Sequence, residues 1–320
     1  MAKLIEITGK ALSGEWGTDD ETGCGIPVLR TTNFTNEGIV NYRNVVTRTI
    51  TKKKIAEKYL RQGDIIIEKS GGSDKQPVGR VIYFDGPDST YLFNNFTGLL
   101  RVKDRNVWYP RYVFYSLFFN YRRGGTKAFE NKTTGLHNLK VDDYVSRCEV
   151  RVENIQKQVA ICEQLDRIFD IIRARQQQLQ KLDELIKARF VELFGDGNHP
   201  HIALIDLIIE GAGLSYGIVQ PGDDGTGDMG VLRPVDMVDG KISTASIKYI
   251  DRSIGDGFKK TELYGDELLI TVRGTTGITA LTDIRFNGMN VTRGIAVVRY
   301  DRNKINPVYL NAYLNTDESQ

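Results

Sequence analysis

Cysteine is scarce in this chain. Cys24, Cys148 and Cys162 are the three in 320 residues, too few and too scattered for a disulfide framework or a zinc knuckle. They are expected as reduced thiols in a cytoplasmic protein. Histidine is equally sparse, and His137, His199 and His201 form no H-E-x-x-H pair. No apolar run approaches the roughly 18 residues of a membrane-spanning helix, so no membrane partner is expected. The opening Met1–Glu6 has no apolar stretch of the secretory kind. There is no G-x-x-x-x-G-K-[ST] loop for a nucleotide, and no Ser or Cys sits in a nucleophile elbow. The glycine-rich stretch 221–230 contains no lysine, and its aspartates would repel phosphate. Catalytic residues are therefore expected to be none, and metal ligands none.

What is present is a chain able to build packed cores, with 40% hydrophobic and 26% charged residues. Its length suits about two domains. The net charge of +2 hides an asymmetry: residues 1–150 carry +6, residues 151–195 carry +1, and residues 196–320 carry −5. A basic first half invites a polyanionic partner, because net charge speaks of partners rather than of fold.

The middle of the chain is the clearest landmark. From Ile155 to Phe194 there is neither Gly nor Pro, and Leu165, Ile172, Leu179, Ile186 and Leu193 recur at intervals of seven. A second series, Cys162, Phe169, Gln176, Asp183 and Phe190, runs three residues earlier. This is the a/d seam of a coiled coil, with polar interruptions that fix register or partner. Asn154 suits the N-cap and Gly195 the C′ position. Forty helical residues would make a rod of roughly 60 Å. A single apolar stripe on such a rod cannot bury itself, so Leu165, Phe169, Ile172, Leu179, Ile186, Phe190 and Leu193 are the expected helix-partner interface. That partner can come from this chain, from another copy of it or from another protein.

The segments flanking the rod repeat each other. Val28-Leu29-Arg30 is echoed by Val231-Leu232-Arg233. The run Gly63-Asp64-Ile65-Ile66-Ile67 is echoed by Gly265-Asp266-Glu267-Leu268-Leu269-Ile270. Asn95–Val102 is echoed by Asn290–Arg299, and Tyr109-Pro110 by Asn306-Pro307. Four blocks in one order imply a tandem duplication, too long in period for a solenoid. The expected fold is α/β (α+β): a first domain over 1–150, a spacer helix over 151–195 and a second domain over 196–320. Short β-rich runs are expected at 64–68, 80–85 and 97–102, with matches at 267–272 and 295–300. Helices should open on Pro110 and Pro307.

Two kinds of loop are candidate sites. The turn after each Gly-Asp strand carries Lys69, Ser70, Gly71, Gly72, Ser73 and Lys75 in the first copy. In the second copy it carries Arg273, Thr275 and Thr276, with Arg293 nearby. Glycines let a backbone approach a ligand, and hydroxyls and cations contact phosphates. The other loop offers Arg122, Arg123, Lys127 and Lys132 among glycines and threonines. Read alone, each is also an ordinary turn or a solvated surface loop. Glu68 and Lys69 faintly suggest a metal-dependent nuclease, but adjacent strand residues face opposite sides, so a solvent-edge pair is expected instead.

The order of these motifs, continued by 135–139 and by 158–162 up to Gly195, resembles the specificity (S) subunit of type I restriction–modification systems. The resemblance covers essentially the whole chain. It implies a non-catalytic reader of double-stranded DNA with two target-recognition domains, each reading half of a bipartite target. It also implies docking of methyltransferase (M) subunits and of a restriction (R) subunit, with S-adenosylmethionine, ATP and Mg on those partners and no cofactor on this chain. A full-length member carries a second spacer helix after the second domain. This sequence stops before it, so the second domain is expected to be truncated and the stripe to find its partner in trans, including by self-association. The alternative is a coiled-coil scaffold for protein partners without DNA specificity.

Overall fold

The computed structural model describes all residues except 53, 54, 74, 75, 134, 135, 196–199, 223, 224, 226, 239 and 317–320; for residues 132, 133 and 136 it describes the backbone alone. By compactness the chain divides into two units, Met1–Arg173 and Ala174–Gln320. The division falls inside the long helix.

The first unit is built on a four-stranded sheet in the order Leu12–Ser13, Thr97–Leu100, Ile65–Glu68, Val81–Tyr83, antiparallel throughout. The Ile65–Glu68 strand is buried at every position, because both faces are covered. One face meets helix α1 (Leu4–Thr8) and helix α2 (Pro110–Arg122), through Leu4, Ile7, Ile65, Ile67, Val113 and Leu117. The other face closes over Ile66, Ile82, Phe84 and Phe93. A second sheet joins Ile26–Leu29 antiparallel to Val46–Thr49 and parallel to Leu92–Phe93. Helix α3 (Val141–Arg147) packs its buried Tyr144 against Phe129.

Helix α4 spans Ile155–Phe194, the range its composition predicts. Asn154 caps it, accepting from Lys157 N at 2.8 Å. Within the first unit its opening turns are fastened to α2. Gln158, wholly buried, accepts from Tyr109 N at 2.9 Å and donates to Val107 O at 2.9 Å and Glu153 O at 2.8 Å. Asp166 accepts from Arg111 at 2.6 Å and also from the Tyr115 hydroxyl. Phe169 stacks on Tyr115 with ring centroids 5.8 Å apart.

The second unit repeats the plan. Its four-stranded sheet runs Ser215–Tyr216, Ile295–Val298, Leu268–Thr271, Thr279–Leu281. Its Met229–Leu232 strand likewise pairs antiparallel with Lys248–Ile250 and parallel with Asn290–Val291. Helix α5 (Pro307–Leu314) stands where α2 does, capped by Asn306. The duplication read from the motifs is thus present in strand order and direction. One detail shifts. Ile65 pairs with Leu100 and Tyr83 as Leu268 pairs with Val298 and Leu281, so Glu267 rather than Asp266 occupies the place of Asp64. The duplicated Gly-Asp is therefore out of register by one residue.

Candidate nucleic-acid interface

In the first unit the chain leaves α2 through a tight turn. Gly124 takes a left-handed φ of +80°, which favours glycine, and a Cβ on Gly125 would lie 2.4 Å from the Asn120 amide, which would have to move aside. The turn sets Arg122, Arg123 and Lys127 around one open groove of about 660 Å³. Thr35, Asn36, Gln76 and Tyr121 complete its polar lining. Gln76 donates to Asn36 Oδ1 at 3.0 Å, and the Tyr121 hydroxyl donates to Pro77 O at 3.0 Å, so the two lips are braced. Arg122, Arg123 and Lys127 are exposed, and among the described residues none has a carboxylate partner. Three unneutralised cations beside amide and hydroxyl groups form a surface suited to a phosphate backbone.

Arg80 also lines this groove, but its charge is used internally. It makes a two-pronged contact with Glu68 at 2.8 and 3.0 Å and donates to Thr31 O and Phe34 O. The expectation of a solvent-edge Glu68–Lys69 pair is corrected here: Glu68 is 1% exposed and paired with Arg80. The sheet is covered on both faces, so neither side of that strand meets water.

The glycine turn takes a different form from an open hairpin. Ser70–Gly72 is a strand paired with Leu136–Leu139, and a Cβ on Gly72 would sit 2.5 Å from Val78 N. Lys69 donates to Ser13 Oγ at 2.9 Å, and burial holds its ammonium below the usual lysine range. Lys69, Ser70, Gly71, Gly72 and Ser73 do not line the groove. Lys75 and the side chain of Lys132 lie outside the described residues.

In the second unit Arg273, Thr275 and Thr276 are exposed on the turn joining two sheet strands, where Gly274 and Gly277 have φ of +81° and +88°. Val272 N donates to Gly294 O at 2.8 Å, which brings Arg293, also exposed, beside Arg273. Sequence reasoning missed a second basic spot on this unit. Lys259 and Lys260 line a cleft of about 380 Å³ with Ser215, Tyr216 and Asp256. The adjacent lysines were its one signal. Thr35, Asn36 and Gln76 were missed as well, because the fold draws them from separate segments.

The helix interface divides along its length. Leu165 and Phe169 are half-buried on the first unit's core, beside buried Cys162. Phe190 packs on Tyr309 with centroids 5.3 Å apart, inside the second unit. Between them the stripe is bare: Ile172 is 47%, Leu179 63% and Ile186 64% exposed, and Leu193 beyond them is 52% exposed. Among the described residues no group of His, Cys, Asp and Glu could hold a metal, and no helix is long and apolar enough to cross a membrane.

Residues 2–184 match the family model of the type I restriction modification DNA specificity domain. The chain belongs to that family. The match runs through the first unit and well into α4. The specificity subunit of the EcoBI type I restriction enzyme of Escherichia coli is 27% identical over 107 residues, covering 33% of this chain and 22% of that protein. The chain thus matches about a fifth of the length of that curated relative. A chain from a structure concerned with complex assembly and conformational transition of the type I R-M system aligns with 100% of this chain and 80% of its own. It is 15% identical with a TM-score of 0.51, a likeness of fold. The S subunit of a type I restriction–modification system from M. genitalium aligns over 98% of this chain and 75% of its own, at 15% identity and a TM-score of 0.46.

Proposed function

We propose that this chain is the DNA-reading subunit of a type I restriction–modification complex. In this reading each unit recognises one half of a bipartite target in double-stranded DNA, and α4 sets the spacing between the half-sites. Arg122, Arg123 and Lys127 in the first unit, and Arg273 and Arg293 in the second, position the duplex through its phosphates. Base edges are read by the side chains beside them. The bare stripe of α4 takes partner helices, from methyltransferase subunits or a second copy of this chain. Methyl transfer and cleavage, with their S-adenosylmethionine, ATP and Mg, belong to partner subunits.

The observation that carries the reading is the family match over residues 2–184 together with the repeated topology of the two units. The repetition favours two reading heads over a scaffold, since a helical scaffold does not call for duplicated domains of the same strand order. The test is selection from randomised duplexes by the chain in complex with its methyltransferase partner. Two short motifs at a fixed gap are expected. Inserting seven residues at an exposed point of α4 adds about 10 Å of helix, which should widen the gap by about three base pairs and leave both motifs unchanged. One continuous motif, or motifs that change with the insertion, would count against it.

A further inference from the structure

Arg30 and Arg233 occupy the same place in the two units. Each ends its strand, and each begins a single helical turn whose third residue folds back on its backbone N–H. The partner differs. In the second unit it is Asp236, wholly buried, which accepts from Arg233 N at 2.9 Å and from its guanidinium at 3.0 Å through two nitrogens. In the first unit it is Asn33. Its Oδ1 accepts from Arg30 N at 3.0 Å, and its Nδ2 donates to Asn41 O at 2.9 Å and Arg43 O at 3.3 Å. An amide so placed has no anionic oxygen to offer the guanidinium.

The consequence is visible on Arg30 itself. Its Nε is buried and, among the described residues, has no partner. The guanidinium's one hydrogen bond among them runs from Nη2 to Asn44 O, at 3.1 Å, on the exposed side. That carbonyl belongs to Asn44, which has a left-handed φ of +58°, a conformation asparagine adopts more readily than most other side-chain-bearing residues. Arg43 next to it is exposed and also has no carboxylate partner among the described residues. The segment that starts at Arg30 goes on to supply Thr35 and Asn36 to the cationic groove. A partly desolvated guanidinium with no counter-charge gains more from an arriving anion than a fully hydrated one does.

We propose that Arg30 takes a DNA phosphate through its terminal nitrogens, and that Asn33 in place of an aspartate is what leaves it available. Arg233, neutralised by Asp236, makes no such contact. The inference rests on the DNA-reading function and adds a named phosphate ligand to the first unit alone.

The test measures binding of the full chain to a fluorescent random-sequence duplex of about 30 base pairs, as a function of salt. Arg30→Gln leaves no buried carboxylate behind, and a thermal melt checks that it folds. Losing one phosphate contact should lower the slope of log K against log salt by about 0.9, or about eightfold in affinity at 0.1 M relative to 1 M salt. Arg30→Lys, which keeps the charge should Gln unsettle the turn, should retain the wild-type slope. The combined Arg122→Gln, Arg123→Gln and Lys127→Gln variant reports on the groove. Wild-type slope and affinity in a folded Arg30→Gln, beside a reduced slope in the triple variant, would overturn the role of Arg30 and leave the DNA reading standing. A lowered slope in Arg30→Lys equal to that of Arg30→Gln would also overturn it, since the loss would then not follow the charge. If the wild-type chain shows no salt-dependent binding to the duplex, both fall together.

Discussion

The two units share strand order, strand direction and the entry of a proline-led helix, yet their polar interiors diverge. In the first unit Glu68 and Arg80 face each other across two strands as a buried ion pair. At the same register the second unit has Thr271 and Ile278, where the threonine hydroxyl accepts from Ile278 N at 3.0 Å. Another site is retained with a change of length. Arg101 donates to Asp64 and to the carbonyls of Glu57 and Tyr59, while Arg299 reaches Glu267 at 3.6 Å and the carbonyls of Lys260 and Glu262. The apolar strand positions and their register carry the topology. The buried polar contacts are less constrained: one is retained with a longer carboxylate, and another is replaced outright.

The largest expected effect breaks the first of these pairs. Arg80→Met strands Glu68 as an unpaired buried carboxylate and should cost about 3–5 kcal/mol. Replacing both residues by their counterparts, as Glu68→Thr with Arg80→Ile, should cost much less than either removal alone. Thr271→Val in the second unit forfeits one hydrogen bond, worth about 1 kcal/mol. Both tryptophans, Trp16 and Trp108, belong to the first unit, so a denaturant titration followed by their fluorescence isolates that unit. Should Arg80→Met melt like wild type, the buried pair is not what distinguishes the copies.

Next in size comes the foot of α4. Gln158→Ala removes three hydrogen bonds and leaves Tyr109 N and Val107 O without their partner, at a cost of about 1–3 kcal/mol. Trp108 lies between those two residues, so the same fluorescence should register the change. The second unit offers a control that sharpens the comparison. Asn306 caps α5 by accepting from Val308 N and Tyr309 N, and Asn306→Ala should cost about 1 kcal/mol with no tryptophan signal.

What was legible in the sequence follows the same division. The forty-residue helix was readable to its ends because heptads, an N-cap and the absence of Gly and Pro all agree there. The duplication was readable because strand hydrophobicity survived in both copies. The register slip at Asp64 and Glu267 was not, since a Gly-Asp pair in both motifs looked like an alignment. Nor was the groove readable. Arg122 and Lys127 stand in one basic stretch, but Thr35, Asn36 and Gln76 reach them only through tertiary folding. Lys69, a cation in a glycine-rich turn, was read as a phosphate ligand, and its surroundings were not legible: the fold turns it toward Ser13 and away from the groove.

A smaller effect concerns pH. Burial, reinforced by the charge of Asp166, pushes the Cys162 thiol up to about 12, and burial also raises Cys148. The folded state then keeps protons that the unfolded chain releases from its ordinary thiol range near 9. Stability of the first unit should be untouched below that range and fall as pH rises from it toward 12. At pH 8 a thiol reagent should label exposed Cys24 and leave Cys148 and Cys162 unreacted until denaturant is added. Rapid labelling of all three in the native protein would contradict this burial.

The smallest change in stability is expected along the exposed apolar stripe of α4. Phe169 stacks on Tyr115 and meets Phe118 edge-on at 6.0 Å, so Phe169→Ala should loosen α4 from the first unit by a measurable amount. Ile186, farther along the same helix, is 64% exposed and touches no core, so Ile186→Glu should shift the chain's own stability by no more than about 0.5 kcal/mol. Its effect should appear in association instead. A stripe kept apolar at Ile172, Leu179 and Ile186 without contributing to the chain's own core makes physical sense if another helix covers it. Sedimentation of the chain with its methyltransferase partner, and alone at rising concentration, separates the two. Loss of a complex in Ile186→Glu with an unchanged melting curve assigns the stripe to a partner, whereas an unchanged complex would show that Ile186 takes no part in holding one.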